Sequence, residues 1–132
     1  MAETGIRGLD TTIQKTNEWI NEVKNEIGCM DRNDAYLALR STLHALRDRL
    51  MPEEAIDLGA QLPMLIRGIY FEGYTTSGKP VTVRRKDEFL DLVERELERN
   101  PQIDPEDAAE GVFAVLGRKI SAGEIQDIKS ML

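Results

Sequence analysis

Apolar residues recur along this chain at the spacing of helix faces. Ile13, Thr16, Ile20, Val23 and Ile27 fall at intervals of three and four, with Trp19 beside them. That spacing places them on one side of an α-helix, and Asp10 or Thr11 is available to cap its start, which predicts a first helix over about 11–28. Gly28-Cys29-Met30-Asp31 interrupts the pattern, and the same period resumes at Tyr36, Leu39, Leu43, Leu46 and Leu50 as the strongest periodic run in the chain. Met51-Pro52-Glu53-Glu54 opens a third helix, with proline where a missing N–H costs nothing and acids where the helix dipole favours them. Its apolar side is Ile56, Leu58, Leu62, Leu65, Ile66 and Ile69, and Pro63 is expected to kink it.

The second half repeats the plan. Phe89, Val93 and Leu97 mark a fourth helix; Asp104-Pro105-Glu106-Asp107 supplies cap, first-turn proline and first-turn acids for a fifth, whose stripe is Val112, Val115, Leu116 and Ile120. Ser121-Ala122-Gly123-Glu124 has the form of a capping box and starts a sixth, with Ile125, Ile128 and Leu132 facing inward. Sliding Asn17 to Leu62 onto Asp87 to Leu132 without gaps pairs identical residues such as Val23/Val93, Ala38/Ala108 and Leu46/Leu116, and apolar pairs such as Trp19/Phe89 and Leu43/Phe113. What a repeat must retain is its inward face. The pattern therefore predicts an all-α, six-helix single domain built from two tandem three-helix repeats. In this reading residues 1–10 are an N-terminal tail, 11–70 the first repeat, 71–86 a linker loop and 87–132 the second repeat. The Gly-rich loop could form a short hairpin with Ile69 and Tyr70 or Val81 to Val83 as arms.

Three separated segments also match a known family in order: Asp31 to Leu50, Gly59 to Tyr70, and Gly73-Tyr-Thr-Thr-Ser-Gly-Lys-Pro80. Over about Thr11 to Leu132 the chain resembles the bacterial domain of unknown function 2267, with Tyr74 standing where relatives more often carry tryptophan. The resemblance implies a small, all-helical, cytoplasmic prokaryotic protein, often encoded near stress-response genes. It brings no assigned activity and no catalytic residue to carry over.

Composition narrows the function classes. Of 132 residues, 17 are Lys or Arg and 24 Asp or Glu, a net charge of −7, which argues against nucleic acid, since neutralising phosphates takes a basic face. No stretch reaches the ~20 apolar residues of a membrane span. Nor does the start of the chain resemble a secretory signal, so a cytoplasmic location is expected. Cys29 is the only cysteine and His44 the only histidine. Neither has partners at metal-ligand spacing, so no metal or other cofactor is expected. His44 reads as a residue at the core boundary, hydrogen-bonded to a neighbour.

Gly73 to Lys79 meets most of the phosphate-loop pattern, but that motif needs Ser or Thr after the lysine, where this chain has Pro80. Arg84, Arg85 and Lys86, with Lys79, Arg67 and the arginines of the second helix, form the main basic concentration. Arg67, Tyr70, Tyr74 and Lys79 could bind a small anion such as a carboxylate or phosphate; the alternative is salt bridging of the basic residues to Glu53, Glu54 or Asp87. Leu65, Ile66, Ile69, Tyr70 and Phe71 exceed what one helix face buries against its own unit, which predicts a docking surface, with a homodimer as the favoured partner. The leading expectation is a noncatalytic, self-associating protein-interaction or stress-associated module. The alternative is a small-molecule or anion-binding protein using the central Arg/Tyr/Gly/Lys segment.

Overall fold

The computed structural model describes residues 4–28, 31–98 and 100–131, the last five by their backbone alone. Among the described residues the regular structure is entirely helical. The helices are α1 (Arg7–Ile27), α2 (Arg32–Arg49), α3 (Pro52–Ala60), α4 (Met64–Phe71), α5 (Lys86–Glu96), α6 (Pro105–Lys119) and α7 (Ala122–Met131). Local chemistry sets several of these starts. Asp31 caps α2 by accepting from the Asp34 amide at 2.8 Å, Asp104 caps α6 from the Asp107 amide at 3.2 Å, and the Ser121 hydroxyl accepts from the Glu124 amide at 3.2 Å. Pro52 and Pro105 occupy the first turns of α3 and α6, positions whose N–H groups have no partner within the helix.

Three expectations need correction. Six helices become seven, because Pro63 breaks the third helix instead of kinking it. Its ring disfavours helical geometry at Leu62, and without an N–H it cannot continue the ladder. The chain closes α3 with tight bonds from Gln61 N to Leu58 O (3.0 Å) and Leu62 N to Gly59 O (3.1 Å), then begins α4 from Pro63. The first helix starts at Arg7 rather than 11, so part of the expected tail is helical. Asp10 does not cap; from inside the first turn its Oδ1 accepts from the Thr4 amide at 2.7 Å and hydroxyl at 3.0 Å, which holds the preceding chain against the helix. The hairpin is absent among the described residues. Ile69 and Tyr70 lie in α4, while residues 81–84 run without a strand partner, pinned to α2 by Val81 N to Asp48 O at 2.8 Å. Cys29, Leu132 and the side chain of Ile128 lie outside the described residues.

The core is organised around α2, which packs on α1, α3, α4, α5 and α6. Leu39, Leu43, Leu46 and Leu50, the strongest stripe in the sequence, are fully buried, and every residue from Ser41 to Arg47 is buried as well, though not all to the same degree. Val23, Leu58, Leu62, Ile66, Tyr70, Val93, Val112, Val115 and Leu116 close around them. Two glycines mark close approaches. A Cβ on Gly111 would lie 2.5 Å from Ile27 Cγ1, where α6 meets α1, and one on Gly59 would lie 2.5 Å from Phe71 Cε2. Gly73 (φ +75°) and Gly78 (φ +74°) take the left-handed conformations that the loop after α4 requires.

Candidate functional site

α2 is buried around its centre, and three of its polar side chains meet α4, α5 and the chain after α4 at one junction. His44 has its ring between two acceptors: Nε2 donates to the Ile69 carbonyl at 2.8 Å, and Nδ1 meets Glu96 Oε1 in a short contact. A carbonyl can only accept, so Nε2 is the donor in that bond. One turn earlier, Arg40 pairs with Glu72 at 3.1 Å and lies 3.9 Å from Glu96. One turn later, Arg47 donates through Nη1 to the carbonyls of Tyr70 (2.5 Å) and Glu72 (2.7 Å) and through Nε to Asp48 at 3.1 Å. Its guanidinium carbon sits 5.4 Å from the Tyr74 ring centre, within cation–π range. His44 is therefore fully buried rather than at the boundary, and both ring nitrogens are engaged in holding three helices together.

The expected ligand residues fall in different settings. Arg67 caps the end of α3, donating to the Gly59 carbonyl at 2.9 Å and the Leu62 carbonyl at 2.9 Å. It lines a groove with Lys15, Trp19, Met64 and Lys119. Tyr70 is fully buried, and its hydroxyl donates to Ala55 O at 2.6 Å. Burial, with Tyr74 nearby, raises its pKa far above the ordinary phenol value. Tyr74 is half-buried against Phe71, with ring centres 6.1 Å apart. Its pKa is also raised, first by burial and then by Asp48. Lys79 is half-buried ahead of a cis Lys79-Pro80 peptide. The two tyrosines thus share the α2–α4 junction, while Arg67 reaches the other way.

Of the expected interaction residues, Ile66 and Tyr70 are in the core, Ile69 and Phe71 are half-buried, and Leu65 is exposed. Leu65 keeps apolar company that the sequence stripe did not include. Its amide donates to Thr12 Oγ1 at 2.9 Å, tying the start of α4 to α1, and Leu9, one turn before Thr12 on α1, is exposed, as are Ile6 and Met64. The basic run also acquires a setting that its residues alone do not show. Arg84, Arg85 and Lys86 line a cavity of about 260 Å³ with Arg49, Val83, Phe89 and Phe113. Phe89 carries the period of a core stripe, so only the proximity of α2, α5 and α6 reveals that it floors a surface slot.

The fold and these sites define a class: an all-α protein with a buried polar junction, an exposed apolar seam and a basic aromatic slot. The model of an uncharacterized conserved protein family, DUF2267, matches residues 16–132, and the chain belongs to that family. No curated protein matches it. Among the described residues, no helix is long and apolar enough to cross a membrane, and no cluster of three or more His, Cys, Asp or Glu side chains could hold a metal ion.

Proposed function

We propose that this protein is a noncatalytic, stress-associated interaction module of the bacterial cytoplasm that pairs with a second copy of itself. The observation that carries this reading is that Leu65, exposed at the start of α4, is tied to Thr12 of α1, with Leu9 exposed one turn before Thr12 on the same helix and Ile6 and Met64 exposed as well. Scattered apolar side chains on a surface need no explanation, but exposed ones on the starts of two helices that touch favour removal from water by a partner. A twofold dimer presents the same patch from both sides, so an apolar surface meets an apolar surface and the acidic remainder stays in solvent. Sedimentation velocity over a range of concentrations tests this. The native chain is expected to shift from monomer to dimer, while Leu65→Glu, an exposed substitution that leaves the helical circular-dichroism spectrum unchanged, stays monomeric. A native chain that is monomeric throughout overturns the reading.

We also propose that one domain spans residues 11–132 as two related three-helix units. In support, shifting α2 and α3 by 70 residues brings their ends close to those of α6 and α7, and the end of α1 close to that of α5. Val23/Val93, Ala38/Ala108 and Leu46/Leu116 are fully buried at both places. On this reading α4 is the element without a counterpart.

A further inference from the structure

From the slot between α2, α5 and α6 we infer a binding site for a small organic anion consisting of one apolar ring and a carboxylate or phosphate. Its floor is apolar: Val83, Phe89 and Phe113, with the two phenyl centres 6.1 Å apart and the rings tilted by 33°. Its rim is cationic, formed by Arg49, Arg84, Arg85 and Lys86.

The four cations are not equivalent. Arg85 is paired with Asp87 at 2.9 Å, and Lys86 makes a short ion pair with Glu106. Arg49 and Arg84 have no carboxylate partner among the described residues, in a chain where acids outnumber bases 24 to 17. The backbone that presents Arg84 is held in place, since Glu88 Oε1 accepts from the amides of Arg84 (3.3 Å) and Arg85 (3.1 Å). Two free guanidinium groups beside an apolar floor suit a ligand that is flat and apolar at one end and anionic at the other. The fork of arginine donors matches a carboxylate or phosphate, and the phenyl faces accept a ring.

Size narrows the class further. Pockets for drug-sized ligands run from about 300 to 1,000 Å³, so a cavity of about 260 Å³ takes a single ring with its acidic group rather than a nucleotide. The site shares no residue with the apolar seam and stands whether or not the protein dimerises.

Phenyl phosphate is a suitable probe, followed through amide chemical shifts of the full chain. Saturable shifts are expected at Arg49, residues 83–89 and Phe113. Benzyl alcohol, which keeps the ring without the charge, and inorganic phosphate, which keeps the charge without the ring, should each bind at least about tenfold more weakly. Arg49→Gln and Arg84→Gln should each weaken phenyl phosphate by about tenfold at an unchanged melting temperature, because neither side chain supports the fold. Failure of phenyl phosphate to saturate at millimolar concentration overturns the site. So does equal binding of inorganic phosphate, or affinity unaltered in the Arg49→Gln/Arg84→Gln double variant.

Discussion

α2 and α6 carry similar apolar registers, Leu39-Leu43-Leu46-Leu50 against Val112-Val115-Leu116-Ile120, all buried, yet they treat their arginines in opposite ways. Arg47 on α2 has 7% of its side chain exposed and fastens backbone carbonyls of another helix. Arg118 on α6 has 47% exposed and grips Glu22 and Glu26 on α1. The same guanidinium is a structural fastener where its acceptors include backbone carbonyls in the protein interior, that of Tyr70 among them. It is a marginal contributor where its acceptors are carboxylates that water would otherwise solvate. The setting of the acceptors decides the energetics.

The leucines at equivalent places in these helices give the largest expected effects. Leu46→Ala and Leu116→Ala should each destabilise by about 2 to 5 kcal/mol in denaturant titrations. The loss should be greater at Leu46, where α2 is covered on every side and its neighbours have the least freedom to close a cavity. A larger loss at Leu116 breaks the comparison. Next comes Arg47→Met, which keeps the aliphatic bulk but leaves the Tyr70 and Glu72 carbonyls without their donor, for a loss of about 2 to 4 kcal/mol. If the melting temperature survives Arg47→Met, solvent satisfies those carbonyls and the fastener role is wrong.

The smallest effect is on the α6 side and shows best through pH. The Glu22 carboxyl is held below its ordinary pKa, chiefly by its bond to Lys119 and further by Arg118, against the opposing effect of burial. A carboxyl whose folded pKa is lowered stabilises the fold above the ordinary carboxylate range and loses that contribution as pH falls through the folded pKa. Glu22→Gln should therefore be slightly less stable than the native chain at neutral pH, with the gap closing on acidification below about pH 4. A gap that widens in acid reverses the assignment.

Much of this was legible in the residues. Leu39 to Leu50 announced a buried helix by period alone, and Asp104-Pro105 and Ser121 to Glu124 announced helix starts because capping is a local event. Pro63 was visible as a disruption, but whether a proline kinks or breaks a helix depends on whether the following turn finds other partners, here Thr12 on α1. The placements of His44, Arg47 and Arg67 were not legible, because each bonds to carbonyls or carboxylates brought near by packing. The aromatic slot was hidden for the same reason: a phenylalanine at core spacing and an arginine at a helix end carry no sign that they will meet.

The arginine caps also bear on local stability. α3 has nine residues and α4 eight, both below the roughly 12 to 15 at which an isolated helix holds in water. The last carbonyls of α4 are satisfied from α2 through His44 and Arg47, and those of α3 from α4 through Arg67. Each short helix therefore shares its terminal carbonyls with side chains of another element, so that its end is fully bonded only in the docked bundle. Native-state hydrogen exchange is expected to show α3 and α4 opening more readily than the buried centre of α2.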